Sequence, residues 1–98
     1  MMTRWPPTAR DILVDAARFY HREMTDQWPV PEVAMERAIE YAERELYSHS
    51  NILYAEAGSR WINRWESGQL EAEMKRAIGK MYQRMRLAEK VIAPKRRR

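Results

Sequence analysis

Glu45 and His49 stand four residues apart, the spacing that sets a carboxylate and an imidazole on one helix face as two metal ligands. Two ligands do not make a site, and no further ligands at suitable spacing accompany them. The second histidine, His21, lies in a separate segment without a nucleophile partner. The chain has no cysteine, which removes disulfides, thiolate metal sites and thiol nucleophiles. Ser59 and Ser67 carry no supporting motif, and the three glycines form no phosphate-cradling loop. The expectation is a protein that is not an enzyme and uses neither metal nor cofactor.

The chemistry that remains is that of charge. From Lys75 to Arg98 there are ten basic residues and one acid, Glu89, so this end carries +9. The preceding residues hold eight basic residues and thirteen acids, or −5, and the two parts sum to the net +4. On a helical wheel Lys75, Arg76, Lys80, Arg84, Arg86 and Lys90 fill nearly the whole polar arc, interrupted by Leu87 and Val91. A face meant only for solvation would mix charge signs. Such a surface has three uses: to bind phosphate backbones through counterion release, to dock on an acidic protein patch or a protein's nucleic-acid groove, or to lie against its own acidic neighbour. Arg76, Lys80, Arg84, Arg86 and Lys90 are the candidate partner-binding residues.

Aromatic residues supply a second set of candidates. Tyr54, Gly58, Trp61 and Trp65 share one face of a helical segment, flanked by Arg60 and Arg64. Trp, Tyr and Arg are enriched at binding hot spots, so Trp61 and Trp65 are partner-binding candidates if exposed. The competing expectation is an ordinary core, with each indole N–H reaching a partner. In either case Gly58 would let another backbone approach closely.

These residues need helices to position them. Trp5-Pro6-Pro7 cannot be helical before Pro7, so residues 1–7 read as an extended lead-in. Thr8 is the expected N-cap of a helix from Ala9 to about Asp26, with Ala9, Leu13, Ala16, Ala17, Tyr20 and Met24 on one face. Trp28-Pro29-Val30-Pro31 ends it and begins a second helix, whose stripe is Met35, Ala38, Ile39, Ala42 and Leu46. Glu32, Glu36, Glu40 and Glu43 form an acidic ridge beside that stripe. The stretch 48–51 either breaks the chain, with Ser50 or Asn51 capping a third helix to about Glu66, or continues it. Ser67-Gly68 is a stop. The last helix, from about Gln69 to Ala93, carries the near-heptad seam Leu70, Met74, Ala77, Met81, Met85, Ala88 and Ile92. Methionines in such a seam also suit an adaptable surface or a second copy. Pro94 is expected to end this helix and leave 94–98 as a flexible basic tail.

The fold class that follows is all-α, a compact bundle of three to four helices with a long basic C-terminal helix, in a single domain over 1–93. At 98 residues the core is thin, and 45% hydrophobic content is too high for a disordered chain. No apolar run approaches the ~18 residues that span a bilayer, so no membrane association and a cytoplasmic location are expected. The chain resembles, in size, helical content and concentrated Arg, the small accessory proteins of phages and prophages of GC-rich bacteria. Anti-CRISPR proteins and other inhibitors of host machinery are of this type. The resemblance implies a non-enzymatic protein that occupies the surface of a host protein or complex. The alternatives are a nucleic-acid-binding or transcription-regulating protein that uses the same residues, and a self-associating assembly protein, with a homodimer as its simplest form.

Overall fold

Proline lacks a backbone N–H and has a fixed φ, so it is tolerated in a first helical turn, where N–H groups have no intrahelical acceptor. A computed structural model describes residues 5–26 and 30–96, and in it α1 runs from Pro7 to Asp26. The Arg10 N–H donates to the Pro6 carbonyl at 2.9 Å, so Pro6 and not Thr8 holds the cap position. Thr8 lies inside the first turn. Its N–H (3.1 Å) and its hydroxyl (2.8 Å) both donate to the carboxylate of Glu56, far along the chain. The cap comes from tertiary structure because Pro7 already has helical geometry and leaves Thr8 no room to stand outside the helix.

Helix α2 spans Pro31–Ser48, with proline in its first turn as expected. Trp28 and Pro29 lie outside the described residues, as do Met1–Arg4. The chain does break after Ser48, through one residue: His49 has φ −107° and ψ 21°, and its N–H is shared between the carbonyls of Glu45 (3.1 Å) and Leu46 (3.2 Å). Helix α3, Ser50–Glu66, starts directly from it, and His49 itself takes the N-cap position without a side-chain cap bond. Neither Ser50 nor Asn51 caps this helix.

Gly58 interrupts α3 with φ 81° and ψ 177°, a conformation open essentially to glycine alone. A Cβ built there would meet nothing within 4 Å, so glycine is required for the kink and not for close packing. The end of α3 is a Schellman motif around Gly68 (φ 82°): Gly68 N–H donates to Trp65 O (2.9 Å) and Gln69 N–H to Arg64 O (3.0 Å). Helix α4 then spans Glu71–Arg96, about 39 Å at 1.5 Å per residue. It passes through Pro94, which was expected to stop it. A proline near a helix end forfeits one backbone hydrogen bond, while the turn that follows keeps its own. Arg97 and Arg98 lie outside the described residues.

Helix α1 is the hub. Glu23 meets Arg37 and Phe19 stacks on Tyr41, so α2 returns antiparallel to α1. Tyr20 meets Tyr82 edge-on (4.8 Å) and His21 reaches Glu89, which places α4 along another side. The α1–α2 contact is built on small residues, with Ala9, Ala16, Ala17, Ala34, Ala38 and Ala42 all buried, and small side chains let helices approach closely. The larger core residues include Leu13, Leu46, Leu53, Leu70, Met74 and Ile78. Helix α3 is attached more lightly, through Leu53, Trp61 and Ile62. The molecule measures 52 × 25 × 25 Å, an elongated four-helix bundle.

Candidate functional site

The seam of α4 sinks into the bundle at its start and emerges from it later. Leu70, Met74 and Ile78 are buried; Ala77, Met81, Tyr82 and Met85 are half-buried; Ala88 is exposed. Ile92 and the side chain of Lys90 lie outside the described side chains. The reason is the length of the partner: α1 ends at Asp26, so α4 has less to cover it by Ala88.

Arg76, Lys80, Arg84 and Arg86 are all exposed, and among the described residues none of them makes an ion pair. Lys75 differs, since its Nζ lies 3.9 Å from Glu71. The single arc read from the sequence separates into two flanks. On one flank Lys75 faces α2, and Arg86 lies over the Tyr82 ring with its guanidinium carbon 5.9 Å from the centroid. On the other flank Arg76, Lys80 and Arg84 form a stripe at four-residue spacing, followed three residues later by Leu87, which is 60% exposed. Glu73 belongs to this second flank and lies 3.7 Å from Arg64 of α3.

The acidic ridge of α2 is present, with Glu32, Glu36, Glu40 and Glu43 exposed. Among the described residues no ion pair joins the ridge to α4, so the basic helix is not neutralised by its neighbour. The ridge is instead a place of mutual repulsion. Partial burial, then Glu71, then Glu40 push the Glu43 carboxyl above the usual range. At its other end the ridge borders a shallow groove where α1, α2 and α4 meet, lined by Tyr20, Pro31, Glu32, Met35, Glu36 and Lys75. Sequence periodicity could not show this groove, because its walls come from three helices.

Trp61 is only 7% exposed and sits in the core, so it cannot be a surface anchor. Trp65 is half-buried, stacked on Trp61 at 6.3 Å and met edge-on by Tyr47 at 6.1 Å. Tyr47 is 73% exposed and carries the outer end of this aromatic row. Tyr54, on the far side of the Gly58 kink from the buried Trp61, is exposed. The indole N–H of Trp61 does not find the partner expected of a core tryptophan among the described residues, and Glu73 Oε2 is likewise buried without a hydrogen bond.

The histidines have local duties. His49 Nδ1 lies 2.8 Å from the Glu45 carbonyl oxygen; a carbonyl can only accept, so Nδ1 carries the proton and helps to end α2. His21 Nε2 lies 3.1 Å from Glu89 Oε1 and ties α1 to α4. No group of three or more His, Cys, Asp and Glu side chains gathers as metal ligands among the described residues. None of the helices, over the described residues, is long and apolar enough to cross a membrane. Compared with protein-family models, curated proteins and solved structures, the chain matches none.

Proposed function

We propose that this is a non-enzymatic binding protein whose α4 docks on an acidic protein surface, in the manner of a small phage-encoded inhibitor of a host complex. The observation that carries this reading is an exposed row of Arg76, Lys80 and Arg84 that makes no ion pairs among the described residues, joined by the exposed apolar Leu87. Unpaired charge steers association and fixes register, and guanidinium groups make directed, often bidentate bonds to carboxylates. Leu87 adds apolar area that a phosphate backbone would not reward. Arg86 serves the opposite flank, held over Tyr82. Trp65, with Tyr47, is a secondary contact, and the core position of Trp61 gives it a supporting role only.

The test compares the wild type with two variants, Arg76→Gln/Lys80→Gln/Arg84→Gln and Leu87→Ser, as immobilised baits in extract of a bacterial host. One acidic protein retained by the wild type and reduced at least about tenfold by both variants supports the reading; a tenfold loss is ~1.4 kcal/mol. Tight binding of generic duplex or single-stranded nucleic acid, falling steeply with salt and unaffected by Leu87→Ser, would instead assign the face to phosphates.

A further inference from the structure

The ridge on α2 and the stripe on α4 share one spacing, with four carboxylates on the first and three cations and a leucine on the second. Glu32, Glu36, Glu40 and Glu43 step by four, four and three residues, and so do Arg76, Lys80, Arg84 and Leu87. At 1.5 Å per residue both rows span about 16 Å. Within one molecule they do not meet. The stripe is on the α4 flank that carries Glu73 toward α3, while the opposite flank, with Lys75, faces the ridge and the groove.

We propose that the acidic ridge of one copy receives the basic stripe of a second copy, with the two helices antiparallel. In that register Arg76 meets Glu43, while Lys80 and Arg84 reach Glu40 and Glu36 across an offset of one residue, about 1.5 Å. The stripe's steps of four, four and three run against three, four and four on the ridge, and long flexible side chains span that offset. Leu87 then falls beside Glu32 at the edge of the groove, where Tyr20, Pro31 and Met35 supply the apolar part of a lining that also holds Glu36 and Lys75. The parallel register would press Leu87 against Glu43, the most crowded carboxylate, and would leave the groove to Arg76. Apolar matching selects the antiparallel one. Lys75, the cation lining the groove, lies 3.9 Å from Glu71, and this exposed pair offsets only part of its repulsion of the incoming Arg84. The contact also relieves the ridge, because cations arrive where Glu40, Glu43 and Glu71 crowd one another. The two surfaces lie on different sides of the molecule, so the contact is head-to-tail. It covers the stripe assigned above to a foreign partner, so the two uses compete, but it stands on its own observations.

Exposed ion pairs are individually weak and are screened by salt. Self-association is therefore weak and salt-sensitive. Sedimentation from about 10 µM to about 1 mM, a range that reaches weak complexes, tests it at low salt and at about 0.5 M salt, where the Debye length is only a few ångströms. The wild-type mass is expected to rise with concentration at low salt and to fall back at high salt. Glu36→Lys/Glu40→Lys and Lys80→Glu/Arg84→Glu should each remain monomeric, and the four substitutions together should restore association. The first pair takes the net charge from +4 to +8 and the second from +4 to 0, while the combined variant returns to +4. A general charge effect would make the neutral variant the most associated, the reverse of the expected order. Glu36→Gln/Glu40→Gln is a milder arm if a reversal unfolds the chain, and circular dichroism checks each variant. A wild type that stays monomeric throughout, association that survives either pair, or a folded combined variant that fails to associate overturns the proposal. The ridge variants keep the stripe, so loss of self-association with partner capture retained separates this contact from the proposed function.

Discussion

Single carboxylates do unusual work here. Glu56 holds the start of α1 from outside, accepting both the N–H and the hydroxyl of Thr8. Glu56→Ala is expected to cost about 1 kcal/mol, the size of a lost helix cap, and to lower the melting temperature by about 4–8 °C. Thr8→Ala should cost less, because the backbone N–H keeps its acceptor. Thermal melts of the two variants check the order. Glu43 acts in the other direction. Its carboxyl is raised by burial, Glu71 and Glu40, so the folded state binds this proton more tightly than the unfolded chain does. Stability from this group therefore falls as pH rises from the unfolded carboxylate value through the raised one. Glu43→Gln should stabilise at pH 7 by about 0.2–0.5 kcal/mol, as relief of a like-charge helix pair does. That gain should vanish near pH 4, which denaturant titrations at both pH values would measure. Neither role was legible in the sequence. Spacing shows that Glu43 belongs to an acidic row and that Thr8 has cap chemistry, but the partners Glu71 and Glu56 come from other helices.

At the scale of elements, the two inner glycines have opposite meanings. Gly58 holds φ 81° and ψ 177°, so Gly58→Ala is expected to destabilise by about 1–3 kcal/mol. Gly79 lies in regular helix and a Cβ there meets nothing within 4 Å, so Gly79→Ala should stabilise by about 0.5–1 kcal/mol. Denaturant midpoints of the pair test the contrast, and equal effects would contradict it. Helix existence was legible because apolar residues recur at three and four. All five of the expected α1 face residues from Ala9 to Tyr20 are buried, and so is the α2 stripe apart from half-buried Met35. Termini were less legible. Proline and glycine signals placed the start of α2 and the end of α3 correctly, whereas Pro94 does not end α4 and Thr8 does not cap α1. Proline weakens a helix locally but does not decide whether neighbouring turns hold it.

At the scale of the molecule, the charge that distinguishes α4 is not part of what holds the bundle together. Arg76, Lys80, Arg84 and Arg86 make no ion pairs among the described residues. Replacing all four by Gln, which keeps helix propensity, takes the net charge from +4 to 0 and should change stability by less than about 1 kcal/mol. Far-ultraviolet dichroism and a urea melt check this, and loss of the fold would make the face structural. The core instead rests on buried Leu, Ile, Met and Ala side chains around α1. The sequence by itself determined that the chain is helical, where its apolar stripes run and that its last helix is overwhelmingly basic, because these depend on local periodicity and composition. Only the tertiary structure decided that Trp61 belongs to the core, that the basic arc divides into two flanks and that the ridge and stripe of one molecule never meet. Those outcomes depend on which helices become neighbours, and neighbours are chosen by packing across the whole chain.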